Sequence, residues 1–321
     1  MRQRFGLAMI VKNEAKVIER CINSVLPGVD FVFLCDTGST DNTIEVAKRA
    51  CKGRVQLQVD EANWVDYGAN RSALLAACHR LEKIDYWLLL DADETIEITH
   101  ELPELTEDAV NVIMENGTLK YYVPRLVSGK KIWKYVGAAH EYITCDEPFT
   151  QQWTDHLTIH HHADGGNHGD KLEREAALLS ADLKKNPDEP RTVFYLARTF
   201  DDMGRWQDAC KLYEQRKSLW GFDEEIWYSW YRQGVLHCER SRGDPILGEA
   251  LRDEGIAQLL DAYQVRPWRA EPLWYLGEFY SRERSHTLAQ FFYRAADDIP
   301  YPRNDQLFID QRAYRRVYPV S

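Results

Sequence analysis

Short apolar runs alternate with segments of helical periodicity through the first half of the chain. The runs predict buried strands, because apolar residues fill consecutive or alternate positions over a short stretch. The segments between them repeat apolar residues every three or four positions, as one buried face of a helix does. The predicted strands cover residues 6–11, 31–35, 55–59 and 86–90, and the predicted helices include residues 14–26, 44–47 and 70–81. This alternation predicts an α/β domain with a mostly parallel sheet and helices on both faces.

The pattern changes twice in the second half of the chain. Residues 119–126, 133–136 and 153–161 predict further strands that are joined by polar turns. Beyond the Gly-rich stretch at residues 165–169, the chain becomes helical and aromatic. We therefore expect two domains, which cover residues 1–168 and 169–321.

The helical half contains a recurring arrangement of small and large residues. The segment Phe194-Tyr195-Leu196-Ala197 is echoed by Trp274-Tyr275-Leu276-Gly277, and a looser copy lies at residues 227–265. This pattern resembles tetratricopeptide repeats, with an insertion around residues 244–245. A plain helical bundle is the alternative. In either case most of the aromatic side chains are expected to form the core.

Composition and charge narrow the class of protein. A hydrophobic share of 44% and a charged share of 28% are those of a globular protein without a membrane span. The net charge of -11 argues against non-specific binding to nucleic acid or to an anionic membrane. Seven cysteines without a CxxC pair, and no secretory signal at the start, predict a reduced, cytoplasmic location.

The clearest chemical signal is a pair of aspartates after the fourth predicted strand. The apolar run ends in Asp91-Ala92-Asp93-Glu94. Because side chains alternate along a strand, we expect Asp91 and Asp93 to point the same way. Two carboxylates on one side repel each other unless a cation lies between them, and such ligands suit Mg²⁺ or Mn²⁺. The structural alternative is a strand followed by an acidic turn that caps a helix.

Polar clusters also follow two other predicted strands. Residues 12–14 and residues 36–39 come directly after apolar runs, as residues 91–93 do. The carboxyl ends of parallel strands meet at one edge of a sheet, where α/β proteins bind their ligands. The three clusters therefore predict one binding site.

The order of these motifs resembles a known enzyme family. Met9-Ile10-Val11-Lys12-Asn13-Glu14, then Asp36-Thr37-Gly38-Ser39-Thr40-Asp41, then Asp91-Ala92-Asp93-Glu94 are similar to the motifs of family-2 inverting glycosyltransferases with the GT-A fold. The helical half resembles the branch with a C-terminal tetratricopeptide-like region, which includes some peptide S-glycosyltransferases. The resemblance covers about residues 5 to 165 by motif. It implies a GT-A domain followed by an all-α repeat domain, and transfer of a hexose from a nucleoside diphosphate sugar, with uridine as the base.

The resemblance also implies which residues bind the donor. Residues around Val11, Asn13 and Glu14 would hold the nucleotide, and Asp36, followed by the Gly38 turn, would contact the base or the ribose. Thr37 stands where the family often has a second acidic residue. Arg71 would face the diphosphate, with Ser72 in place of the usual Asn. Asp91 would assist in donor binding.

The metal ligands and the general base are implied in the same way. Of the two aspartates, Asp93 is the preferred metal ligand. His161 is a further candidate ligand, although the adjacent His160 and His162 leave the choice among the three histidines open. The Gly137-Ala138-Ala139-His140-Glu141 segment resembles the family's His-Glu element near the acceptor. Either Glu141 or His140 would serve as the base.

Other functions and partners stay open at this stage. A nucleotidyltransferase also uses paired aspartates and a metal, and a non-catalytic repeat scaffold is a third alternative. The acceptor is a protein or peptide, a glycan or a modified nucleobase, and the acidic charge disfavours DNA. The helical repeats are a candidate surface for recognising a larger partner or for forming a homo-oligomer.

Overall fold

The protein was analysed as a computed structural model, which describes residues 2–81, 83–100, 102–117, 119–165, 171–243 and 245–314. The chain divides into two compact units, residues 1–171 and 172–321. The domain boundary expected after residue 168 and most of the Gly-rich stretch fall on residues 166–170, outside the described residues. Across the described residues, no helix is long and apolar enough to cross a membrane.

The first unit is built around a large mixed sheet. Its strands are β1 (Phe5–Val11), β2 (Phe31–Asp36), β3 (Gln56–Glu61), β4 (Tyr86–Leu89), β5 (Glu94–Ile98), β6 (Ala109–Asn116), β7 (Leu119–Ser128) and β10 (Gln151–His161). Among the described residues the strand order is β3-β2-β1-β4-β7-β6-β10-β5. Strands β5 and β7 run against the other six. The sheet is therefore mostly parallel, as predicted.

Helices cover both faces of this sheet. They are α1 (Ile18–Val25), α2 (Thr43–Cys51) and α3 (Tyr67–His79). Leu7, Met9 and Val11 of β1 share one core with α1 and α2. Ala8 of the same strand lies in a second core with Leu74 on α3. Strands buried on both faces explain why the sequence shows continuous apolar runs rather than strict alternation.

A separate two-stranded sheet follows the main one. It consists of β8 (Trp133–Val136) and β9 (Tyr142–Cys145), which run antiparallel. This hairpin packs beside α3, and its connecting loop carries the His-Glu element. The hairpin therefore brings a later part of the sequence to the helix that carries Arg71.

The regular secondary structure of the second unit is all helical among its described residues. Its helices are α4 (Lys171–Lys185), α5 (Pro190–Asp202), α6 (Trp206–Ser218), α7 (Asp223–Ser241), α8 (Gly248–Val265), α9 (Glu271–Arg282) and α10 (His286–Asp297), followed by a 3₁₀ turn at Gln311–Tyr314. Helices α5 and α6, α7 and α8, and α9 and α10 pack as consecutive pairs. The predicted combination of a GT-A-like α/β domain with a helical repeat region is confirmed.

Several element boundaries differ from the sequence prediction. Strand β4 ends at Leu89, one residue early, so Asp91 and Asp93 lie in a turn and strand alternation does not set their directions. Strands β5, β6 and β9 were not predicted. The first of them begins with Glu94, and an acidic start conceals a short strand because carboxylates are uncommon in sheets.

Candidate active site

The ends of β1 and β2 are joined by a hydrogen-bonded polar cluster. The Ser39 hydroxyl donates to Asp36 Oδ1 at 2.7 Å and accepts from the Asn13 backbone N–H at 3.1 Å. Asn13 has a φ of 59° and accepts the Thr40 backbone N–H at 2.7 Å. Gly38 has a φ of 101°, which favours glycine at this turn. Asp36 is therefore oriented by its own turn at the sheet edge.

Residues 37–43, which lead from β2 into α2, bind the backbone of two further residues of the predicted nucleotide site, Glu14 and Val11. The Glu14 backbone N–H donates to the Thr43 hydroxyl at 2.7 Å, and the Asp41 side chain accepts from both the N–H and the hydroxyl of Thr43. The side chain of Val11 is buried in the core, and its carbonyl accepts from the Thr37 N–H at 2.9 Å. Val11 therefore supports the cluster, and its carbonyl is engaged within it.

Arg71 contacts both Asp91, in the region predicted to bind the sugar donor, and Glu141, a predicted general base. Its Nη2 donates to Asp91 Oδ1 at 2.5 Å, and its Nε lies 2.7 Å from Glu141 Oε1. The guanidinium also lies over the Tyr135 ring, 5.6 Å from its centre. The Arg71 and Glu141 side chains are only 13% and 12% exposed, whereas Asp91 is 35% exposed. We refer to Arg71, Asp91 and Glu141 as the first ion-pair cluster.

The charges in this cluster stabilise one another. Burial by itself would raise the pKa of Asp91, but the charges of Arg71 and Arg125 and the Arg71 hydrogen bond outweigh it and lower that pKa. The reverse holds for the guanidinium. Burial opposes its charge, and Asp91 and Glu141 nevertheless raise the pKa of Arg71. Both groups of the pair are therefore charged at neutral pH.

A second buried pair, which the sequence analysis missed, supports the aspartate turn. Arg125 on β7 donates to Glu94 Oε1 at 2.9 Å, and Glu94 Oε2 accepts the Asp91 backbone N–H at 2.8 Å. Burial raises the pKa of Glu94 to about 7, since the opposing charge of Arg125 only partly offsets it. The sequence did offer one sign of this pair, which is the arginine within the apolar segment of β7. A buried arginine is nearly always paired with a carboxylate, so its position indicates an acidic partner.

Asp93 faces a different set of groups from Asp91. Its Oδ1 lies 3.8 Å from His161 Nδ1. A Cβ added to Gly165 would lie 3.3 Å from Asp93 Oδ2 and 3.2 Å from Glu14 Oε2, so both carboxylates border that glycine. Asp164 next to it is held by two hydrogen bonds from Arg20, at 2.6 and 2.8 Å. The loop after β10 thus closes against the aspartate turn.

The three consecutive histidines have different surroundings. His160 lies 3.1 Å from both Glu97 and Glu115, and His162 contacts the Thr95 hydroxyl at 2.8 Å. His161 is the one that lies near Asp93. Among the described residues, no group of three His, Cys, Asp or Glu side chains is arranged to hold a metal ion. Asp93 and His161 are the pair whose donor atoms suit a shared divalent cation.

The loop of the β8–β9 hairpin is fastened to α3 by backbone contacts. A Cβ on Gly68 would lie 2.2 Å from the Gly137 carbonyl oxygen, so only glycine fits there. The Tyr67 N–H donates to the Ala138 carbonyl at 3.2 Å, and the Ser72 hydroxyl accepts the Tyr135 N–H at 2.8 Å. These contacts fix the position of the loop that carries Glu141.

The two candidate bases occupy different environments. Glu141 is mostly buried beside Arg71, whereas His140 is exposed and adopts a φ of 53°.

The predicted site residues lie in three groups. One group consists of Arg71, Asp91 and Glu141, another of Asp93, Glu14 and His161, and the last of Asn13, Asp36 and Gly38.

Comparison with known proteins identifies the first unit. Residues 7–163 match the model for Glycosyl transferase family 2. An uncharacterized glycosyltransferase of Rickettsia prowazekii is 32% identical over 126 residues, 39% of each chain. A TPR repeat-containing protein of Synechococcus elongatus is 40% identical over 91 residues, which cover 28% of this chain and 21% of that protein. The chain thus spans less than half the length of these two relatives.

Solved structures also align over most of the chain. The crystal structure of S. aureus TarS covers 94% of both chains at 12% identity, but its TM-score of 0.35 is too low to support an argument. The similarity to glycosyl transferase family 2 thus lies in the first unit, at residues 7–163, and a region with seven α-helices among its described residues follows that unit.

Proposed function

We propose that the first unit transfers a hexose from a nucleoside diphosphate sugar, preferably a uridine diphosphate sugar, to an acceptor. The observation that carries this proposal is the first ion-pair cluster. It links Asp91, at the end of β4, to Glu141 through one guanidinium. A donor site and an acceptor site must adjoin in a glycosyltransferase, and Arg71 spans that junction.

The nucleotide would bind at the ends of β1 and β2. Asp36 is oriented by Ser39 and would contact the ribose or the base. Residues 13 and 14 line the same edge, where their backbone is held by Ser39 and Thr43. Arg71 would face the diphosphate, because a guanidinium is well suited to phosphate oxygens.

Asp93 and His161 fit a divalent cation, Mg²⁺ or Mn²⁺. Such ions commonly use one or two protein ligands and complete their coordination with water and substrate phosphates. A bound cation would supply Lewis-acid stabilisation of the departing diphosphate. Arg71 would add a second positive charge on the same leaving group.

The transfer would be a single displacement with inversion. The bond between the anomeric carbon and the diphosphate oxygen breaks as the acceptor atom bonds to that carbon from the opposite face. The acceptor gives up its proton to Glu141, and the electron pair of the broken bond leaves with the nucleoside diphosphate. His140, adjacent in the loop, is the alternative base.

The products of the reaction provide the test. The purified chain is incubated with Mn²⁺, a panel of nucleoside diphosphate sugars and candidate peptide, glycan and nucleobase acceptors. We expect release of nucleoside diphosphate, which Asp93→Asn and EDTA abolish. Asp188→Asn, at an exposed position of the helical unit, is the matched control. Release of sugar 1-phosphate, with the nucleoside monophosphate transferred to the acceptor, would favour nucleotidyl transfer instead, and full activity in EDTA would rule out the metal.

The cysteines bear on the cellular location. All seven are free, which favours a reducing compartment such as the cytoplasm. The acceptor class is a protein or peptide, a glycan or a modified nucleobase. The helical repeats would provide the contact if the chain forms a homo-oligomer, which size-exclusion chromatography with light scattering would measure.

A further inference from the structure

The chain after the last helix returns across the repeats. Residues 302–310, called the return segment here, contain no helix or strand. Phe308 packs on Phe194 of α5, and the backbone of the segment is bound by Glu224 of α7 and Glu271 of α9. These are the first helices of three consecutive pairs. The segment therefore lies along the one face that these three helices share.

The helices bind this segment largely through its main chain. Glu224 Oε2 accepts the backbone N–H groups of Gln306 and Leu307, at 2.9 and 2.6 Å. Arg269 donates to the carbonyls of Leu307 and Phe308, at 3.3 and 3.4 Å. The segment is not extended, since the Asp305 N–H donates to the Pro302 carbonyl at 3.2 Å and Phe308 has a φ of 45°. Main-chain hydrogen bonds of this kind nevertheless contribute affinity when a peptide is recognised.

One side chain of the segment, that of Asp305, is bound in a pocket. The Asp305 carboxylate accepts from Arg266 Nε at 2.8 Å, Trp268 Nε1 at 3.2 Å and Arg269 Nη1 at 3.2 Å. Asp305 is only 7% exposed. The donors converge from the turn between α8 and α9, and they form a carboxylate pocket rather than a surface contact.

The apolar part of the segment is held less deeply. Leu307 packs at the edge of the core formed by α5, α6 and α7. Phe308 is 40% exposed, with the Arg198 guanidinium 3.9 Å from its ring centre. Pro302 is buried, and the Phe308 ring centre lies 5.1 Å from that of Tyr228, so a competing ligand must bury comparable apolar area to replace the segment.

The charged groups of the face keep partners without the segment. Arg266 also pairs with Asp223 at 2.9 Å, and Arg269 pairs with Glu271 at 2.8 Å. A segment that completes a core normally leaves unpaired buried charges when it is removed, at a cost of several kcal/mol. Here both arginines keep a carboxylate on the helices, and Glu224 keeps Arg269 at 3.9 Å, so each of these charges retains an oppositely charged partner when the segment leaves.

We propose that this face is a groove for a peptide of a partner protein, and that the return segment is its tethered competitor. The ligand would present an aspartate, then a bulky apolar residue two positions later and an aromatic residue after it, as Asp305, Leu307 and Phe308 do. The partner's segment would displace the return segment from the groove. This inference does not depend on the proposed reaction.

A labelled peptide with the sequence of residues 302–314 tests the proposal on the full chain by fluorescence anisotropy. The wild-type chain should bind it weakly, because a tethered competitor acts at about millimolar effective concentration. Asp305→Asn keeps the shape of the side chain and weakens the tethered competitor. It should bind the peptide at least about tenfold more tightly, since a charge-assisted hydrogen bond contributes about 1.5–3 kcal/mol. Asp298→Asn, at an exposed position after α10, should behave as wild type.

The peptide itself supplies a second control. A peptide with Asn in place of its Asp should bind each of the three proteins at least about tenfold more weakly than the Asp peptide does. Circular dichroism checks the fold, and Phe308→Ala replaces Asp305→Asn in the same assay if the latter unfolds. Equal peptide affinity in the folded proteins would overturn the proposal. Unfolding of both variants would also overturn it, because the segment would then be an integral part of the domain.

Discussion

The two units each contain an arginine between two carboxylates, but the two arrangements differ in access. In the first ion-pair cluster, Arg71 lies between Asp91 and Glu141, and Asp91 is 35% exposed. In the second unit Arg269 lies between Glu271 and Asp305, and their side chains are 0%, 0% and 4% exposed. We refer to these three as the second ion-pair cluster. The same residue types therefore occur once at an accessible sheet edge and once in a closed interior.

This difference separates a reactive arrangement from a structural one. A substrate phosphate can replace a carboxylate partner of an arginine only where it can reach the guanidinium. The second cluster is closed while the return segment is in place, and water then does not compensate for a partner that a substitution removes. We therefore expect substitutions in the first cluster to change catalysis and those in the second to change folding stability.

The largest expected effect is on the transfer reaction. Glu141→Gln keeps the size of the side chain but removes its capacity to accept a proton, so the rate of transfer should fall by ~10²–10⁴-fold. The affinity for nucleoside diphosphate, measured by calorimetry, should stay near the wild-type value. Glu147→Gln, with a side chain that is 80% exposed, is the control. Near wild-type transfer by Glu141→Gln would remove Glu141 as the base and leave His140.

The next effect tests the closed cluster. Arg269→Ala leaves Glu271 and Asp305 buried without their shared partner, so the free energy of unfolding should fall by about 3–5 kcal/mol. Urea denaturation followed by helical circular dichroism measures this change. Arg312→Ala removes an arginine that is 71% exposed, and it should cost less than about 1 kcal/mol. Similar losses in both variants would mean that burial does not distinguish the clusters.

The smallest effect is a pH dependence of stability. Burial would raise the pKa of Asp305, but hydrogen bonds from Arg266, Trp268 and Arg269 outweigh it and lower that pKa below its ordinary value of 3.8. A lowered folded-state pKa stabilises the fold above the ordinary value, and this stabilisation is lost as pH falls below it. The difference in unfolding free energy between wild type and Asp305→Asn should be constant from about pH 7 to about pH 5 and shrink below about pH 4. A difference that stays constant at lower pH would contradict this assignment.

The sequence was most informative where local pattern and burial agree. The strands around Leu7, Leu34 and Leu88 are buried on both faces, so their continuous apolar runs marked both their position and their type. The motifs at residues 13–14, 36–38 and 91–93 were correctly placed at the ends of such strands. A parallel arrangement then brings them to one edge without further information.

Contacts distant in sequence could not be predicted in the same way. Arg125 meets Glu94 only because β7 inserts beside β4, and nothing local in either segment indicates that neighbour. The ion pair of Arg71 with Glu141 depends on the hairpin packing beside α3. The resemblance to a family supplied candidate roles for Arg71 and Glu141, but only the fold showed that the two side chains are in contact.

The attachment of the hairpin to α3 has a consequence for redesigning this protein. The contacts that fix the loop are made by Gly68 and Ser72 on the helix and by backbone groups of the hairpin. Three side chains of the hairpin also contribute, since Trp133 is buried in the core and Tyr135 and Glu141 contact Arg71. Grafted loops that retain these three residues, Gly137, and Gly68 and Ser72 on the helix would present new side chains at the remaining positions of residues 133–145. The hairpin is thus the natural place to diversify this chain in a library screened for new acceptors.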